Sequence, residues 1–348
     1  MNQICISLDC TRSMHPASYT VQQEVTNLVK FLFDSIANLQ ISIVCHGDDN
    51  DPNVNSTTLN FSNDEKNVVE FIKKMPRYGP NGTEEEFYQV VQKYVLHNLS
   101  WGDEENKAYI FIGDATPRKE ARFIPWRSVA IEFPTRGIQC FNVQCLDRLT
   151  SQTFWNEFTN YTSGKLLKLN QFSNLPELLT TLFLYTESIP AAQEYSETLV
   201  IGRDFRNTMN SLFGKITEPT DVHPQALANG LVPVHPSRFQ ILKVWGDQEI
   251  QSFVNNTGAS FKPGKGFYQL KFTEKVNGKK EIILVDRITG DMFTGASVRN
   301  LMNLPYGTSG KLSKKDIPEG YDCYVQSTSY NRKLDSGTNF LYEVDNAY

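Results

Sequence analysis

A chain of 348 residues, 40% hydrophobic and 21% charged, is too long for one small core and fits two globular domains. A net charge of -5 with a pI near 5.7 argues against a dedicated nucleic-acid binder, which would carry a basic face. The longest apolar runs are strand-sized, which excludes a membrane-spanning helix.

Asn2 to Leu8 opens the chain with Ile4, Cys5, Ile6 and Leu8, apolar on both faces, and predicts a central strand of a covered sheet. Asp9, Thr11 and Ser13 follow at alternate positions, just before the helical spacing of Val21, Val25, Leu28, Val29, Leu32 and Ile36 begins. A carboxylate and two hydroxyls therefore share one loop at the carboxyl end of a strand, where open α/β sheets place ligands. Such hard oxygen donors suit a small divalent cation, although the same spacing describes a turn entering a helix cap. The amino end of the following helix is expected to help keep Asp9 ionised.

Gln40 to Cys45 is the next strand, and Thr57 to Phe61 a short antiparallel neighbour reached without a crossover helix. Asn63 to Met75 is an amphipathic helix. A turn-rich loop, Tyr78 to Glu85, opens a helix running to about Leu99, with Thr83 and Glu86 spaced as a capping box. Lys107 to Ile112 is a buried strand ending in Gly113-Asp114-Ala115-Thr116-Pro117, so a second carboxylate lies at a strand's carboxyl end. Strands at Gly137 to Leu146 and Gly164 to Leu169 alternate with helices at Ser151 to Tyr161 and Leu175 to Thr186.

The spacing D-x-T-x-S over Asp9, Thr11 and Ser13 resembles the metal-ion-dependent adhesion motif of von Willebrand factor A domains, usually D-x-S-x-S. G-D-A-x-P around Asp114 is similar to the segment that carries the final acidic ligand of those domains, and the order of elements over residues 1–187 is also theirs. The resemblance implies a doubly wound, Rossmann-like α/β fold whose mostly parallel sheet has one antiparallel edge strand. It also implies a further oxygen ligand from the loop after Tyr78. That loop departs from the family's glycine-rich patterns; Thr83 is the better candidate by residue type and Asn81 by alignment. The expected centre is Asp9, Thr11, Ser13, Thr83 and Asp114 around Mg²⁺, with Mn²⁺ as an alternative. A protein partner would supply a Glu or Asp to the ion.

Residues 188–237 read as a helical connector, with Leu199, Phe205, Met209 and Leu212 apolar, followed by a linker carrying Pro219, Pro224, Pro233 and Pro236. Residues 238–348 predict an α+β domain with a largely antiparallel sheet, of no recognised family. Its strands are expected at Phe239 to Trp245, Gly266 to Phe272, Glu281 to Asp286, Tyr324 to Ser327 and Asn339 to Val344. Short helices are expected at Gln248 to Asn255 and Ala296 to Leu301, and a hairpin turn at Asn277-Gly278. Asp286 to Gly295 reads as a turn rather than a second metal site.

Cys5, Cys10, Cys45, Cys140, Cys145 and Cys323 fall mostly in apolar runs without a C-x-x-C pair, so buried free thiols are expected. No basic-then-apolar leader precedes the first strand, and the expected location is cytoplasmic, with no nucleic-acid or membrane partner. Two other functions compete with metal-dependent adhesion. A structural scaffold would leave the ion idle or absent. A phosphohydrolase of the haloacid-dehalogenase type would use Asp9 as nucleophile, but Thr11 stands where that chemistry needs a second carboxylate. The chain is therefore expected not to be an enzyme.

Overall fold

Every residue of β1 (Asn2–Asp9) is buried, as a strand covered on both faces requires. The computed structural model describes residues 2–47, 57–76, 78, 85–103, 106–119, 124–216, 224–244, 266–326 and 338–344. Its contacts fall into two units, Met1–Leu199 with Leu212–Gly214, and Val200–Ser211 with Lys215–Tyr348.

In the first unit, β1 lies between β2 (Leu39–His46) and β5 (Asn106–Gly113), parallel to both. Beyond β5 come β7 (Ile138–Cys145) and β8 (Lys165–Leu169), also parallel. Beyond β2 comes β3 (Thr58–Ser62), antiparallel. The sheet order is β3-β2-β1-β5-β7-β8, so the chain switches sides between β1 and β5. This is the doubly wound, mostly parallel sheet with one antiparallel edge strand that the sequence predicts.

Period-two alternation sends Cys5, Tyr109 and Phe111 to one face of the sheet. There they meet Tyr88 and Val91 of α3 (Tyr88–Asn98), Phe133 of α4 (Trp126–Thr135), and Trp155 and Phe158 of α5 (Leu149–Thr162). Ile6, Leu8, Ile41 and Ile43 face the other way, against α1 (His15–Ser35), α2 (Glu65–Lys73) and α6 (Leu175–Glu187).

One helix start differs from expectation. Glu85 and Glu86 form a short strand, β4, parallel to β6 (Thr116–Pro117), and α3 starts only at Tyr88. Glu86 therefore precedes α3, whose N-cap is Phe87, and does not stand at the third helical position that a capping box needs; its backbone carbonyl accepts from Arg118 N–H at 2.8 Å. Thr83, Asn81 and the expected helix at Gln248 to Asn255 lie outside the described residues.

The connector forms α7 (Ile189–Thr198) and α8 (Arg203–Leu212). Ala226 and Leu231, from the proline-rich stretch, pack in the core of the second unit. That core lies on an antiparallel sheet of β13 (Met292–Phe293), β12 (Ile282–Asp286), β15 (Tyr321–Gln326), β10 (Phe267–Gln269), β16 (Thr338–Glu343) and β9 (Phe239–Val244), in that order. Asn277-Gly278 does make a tight turn, but not a hairpin. The strand before it, β11 (Glu274–Val276), pairs with β14 (Gly310–Leu312) rather than with β12. Gly278 packs against the backbone of Gly307, where an added Cβ would come within 2.4 Å of the carbonyl oxygen, and this close approach redirects the chain. Asp286 accepts hydrogen bonds from Ile288 N–H and Thr289 N–H at 2.8 and 3.0 Å, which makes its segment a side-chain-capped turn.

Candidate functional site

The switch point of the first sheet places Asp9 and Asp114 side by side. Leu8 pairs with Ile112 in register, so Asp9 ends β1 level with Gly113, and Asp114 follows immediately. Both carboxylates are buried, at 0% and 1% exposure, and each raises the other's cost of ionisation.

Asp9 is held on both oxygens. Oδ1 accepts from Thr11 N–H at 2.8 Å and from Thr11 Oγ1–H at 2.6 Å, and Oδ2 accepts from Tyr88 Oη–H at 2.8 Å. Tyr88 Oη in turn accepts from Ala115 N–H at 3.1 Å, tying the two strand ends together. Asp114 is held much less well. The Ser13 hydroxyl and the Arg148 guanidinium favour its charged form, with Arg148 Nη2 at 2.8 Å from Oδ2. Yet among the described residues neither Asp114 oxygen receives a well-aligned hydrogen bond.

Burial dominates the electrostatics. It pushes Asp114 up to about 6 and raises Asp9 as well, against the hydrogen bonds from Thr11 and Tyr88 and the charge of Arg148. The net direction at Asp9 is thus upward, despite the helix end expected to help keep it ionised. Only a 3-10 turn, Arg12–Met14, intervenes before α1, but desolvation outweighs the local donors. His46, level with Asp9 on β2, stacks edge-on to Tyr88 with centroids 5.4 Å apart, and burial drives its ring down to about 3. The floor of the site is therefore a neutral imidazole and two aromatic rings, Tyr88 and Phe111, which keep the local dielectric low.

Four of the five residues expected around an ion, Asp9, Thr11, Ser13 and Asp114, come together. The fifth, Thr83, is outside the described residues, as is its alternative Asn81. The described residues that flank this segment are tied beside the site: Tyr78 N–H donates to Cys10 O at 3.0 Å, and β4 pairs with β6 just past Asp114. Among the described residues no group of three or more His, Cys, Asp or Glu side chains is arranged to hold a metal. An ion here would rest on two carboxylates plus hydroxyls, and the buried, poorly satisfied Asp114 is the feature that fits one.

Tyr88 and Arg148 are the site residues that sequence reading missed. Tyr88 carried the one usable signal, a hydroxyl on the first turn of a helix that opens beside the predicted loop. Arg148 sits just past β7, after two consecutive left-handed residues, Leu146 (φ 61°) and Asp147 (φ 44°), that no glycine announces.

No family model matches this chain, and no curated protein matches it. Among solved structures it is similar to proximal thread matrix protein 1 from the mussel byssus, with 17% identity and a TM-score of 0.39, over 54% of this chain and 48% of that one. A second structure of the mussel protein, with a zinc-occupied MIDAS motif, gives the same identity and coverage and a TM-score of 0.40. BatB from Bacteroides thetaiotaomicron is 12% identical with a TM-score of 0.39, over 54% of this chain and 99% of that one. The match thus spans about half the length of the mussel protein.

Proposed function

We propose that the first unit is a protein-binding domain of von Willebrand factor A type. In this reading Asp9, Thr11, Ser13, Thr83 and Asp114 hold one divalent cation, Mg²⁺ or Mn²⁺. The observation that carries it is Asp114: a carboxylate 1% exposed, without a well-aligned donor among the described residues, beside a second buried carboxylate at the sheet's switch point. Thr11 and Ser13 would contribute neutral hydroxyl oxygens, and Asp9 and Asp114 the charge, directly or through water. When bound, the cation supplies positive charge and an open coordination position for a Glu or Asp of the partner protein. The chain's own residues fix that position and keep water from the floor.

Catalysis forms no part of this reading, because Thr11 cannot act as the general acid a phosphohydrolase needs near neutral pH. We also propose a cytoplasmic location, which the six buried free cysteines fit.

The test is a thermal melt of chelator-stripped protein titrated with Mg²⁺ and Mn²⁺. A ligand of the native state should stabilise by about 2.7 kcal/mol at a hundred times its Kd. The wild-type melting temperature is expected to rise, and Asp9→Ala and Asp114→Ala are expected not to respond. An unresponsive wild type, or variants that respond equally, would leave the scaffold reading in its place.

A further inference from the structure

Arg148 is held on its acid more sparsely than Arg203 and Arg238 are on theirs. Arg203 grips Asp291 with one nitrogen on both oxygens, at 2.8 and 2.7 Å, and Arg238 uses Nε and Nη2 on Glu343 at 3.0 and 2.9 Å. Arg148 makes a single approach to Asp114, and its Nε is buried without a hydrogen-bond partner among the described residues. Each of those two arginines makes two hydrogen bonds to its acid, and a guanidinium with a single approach is held less firmly.

Its backbone, by contrast, is fixed. The carbonyl of Arg148 accepts from Gln144 Nε2, Ser151 Oγ and Ser151 N–H at 3.1, 3.1 and 3.2 Å. The preceding turn is pinned by Leu146 N–H to Leu169 O at 3.1 Å and by the Asp147 to Lys168 ion pair at 2.6 Å. The side chain retains 18% exposure against 1% for Asp114, so it has a way out to solvent.

We infer that Arg148 is the resident counter-ion of the site, seated on Asp114 in the cation-free protein and displaced when a divalent ion is taken up. The inference rests on the metal-binding reading above. Charge balance favours displacement over coexistence. A divalent ion binds the two carboxylates in their ionised form, and in that form the guanidinium alone would leave a net single negative charge, whereas a dication in its place leaves none. Both cations together would leave an excess positive charge against a low-dielectric floor, which is costly. Arg148 thus lowers the affinity for the ion and keeps the empty site from holding two uncompensated carboxylates.

The experiment is calorimetric titration of the chelator-stripped full chain with MnCl₂, comparing wild type with Arg148→Gln. The variant is expected to bind Mn²⁺ more tightly by about tenfold or more. If wild type binds and Arg148→Gln binds equally or more weakly, the counter-ion role is overturned while the metal reading stands. If neither binds, both fall. Because Arg148→Gln removes the cation paired with a buried acid, the wild type is also followed by NMR of arginine Nε–H groups, with Arg148→Lys as the assignment control. Faster solvent exchange of the Arg148 Nε–H on adding Mg²⁺ is expected, and unchanged exchange at a concentration that saturates the calorimetric signal overturns the inference.

Discussion

Asp114 and His46 answer to pH in opposite senses, which gives the site a signature of its own. Burial lifts Asp114 from its ordinary value near 3.8 to about 6. Without a divalent cation, its contribution to stability is full below about pH 4 and is lost as the pH rises through 6. The ring of His46, pushed down to about 3, contributes above about pH 6.5, and that contribution is lost as the pH falls towards 3. The slopes oppose each other between pH 4 and 6, so a difference measurement is needed. In urea melts with chelator, Asp114→Asn is expected to gain on wild type by roughly 2–3 kcal/mol between pH 4 and 6.5. Saturating Mg²⁺ should shrink that gain by stabilising the wild type. A difference that ignores pH would mean that Asp114 is not held near neutrality by burial.

At the scale of the elements, the end of β5 is shaped around one missing side chain. A Cβ on Gly113 would lie 2.4 Å from Tyr88 Oη and 3.5 Å from Asp9 Oδ2. Gly113→Ala should therefore push the Tyr88 hydroxyl away from both Asp9 and Ala115, at a cost of about 2–4 kcal/mol in urea unfolding. A cost below about 0.5 kcal/mol would mean that Tyr88 has room to move. Much of this architecture is legible in the sequence, because buried strands and amphipathic helices leave their period in the residues themselves. β1, β2, β5, β7 and β8 lie where apolar runs predict them, and Asp9 and Asp114 stand at two of their ends. The illegible parts depend on contacts distant in the chain. Glu86 is drawn from a helix into β4 by Thr116 and Pro117 thirty residues on, and the Asn277-Gly278 turn is steered by Gly307. Arg148 meets Asp114 only because β7 neighbours β5 and the turn at Leu146 and Asp147 bends left-handed without a glycine to mark it.

The molecule as a whole carries separate cores. Phe111 is wholly buried among aromatic rings of the first unit, and Phe293 is wholly buried in the second. Calorimetry is expected to depart from a single two-state transition. Phe111→Ala and Phe293→Ala, each costing about 3–5 kcal/mol, should lower different transitions. Joint movement of both would mean that the units unfold as one. The left-handed turn before Arg148 has a consequence at this same scale. The carbonyl of Arg148, the strand end and the flanking ion pair are all fastened, so in the proposed exchange of one cation for another only the torsions of a single side chain would change. Occupied and empty forms would then share one backbone shape, and a binding protein would tell them apart by the charge it meets at the rim, not by any shift of strand or helix.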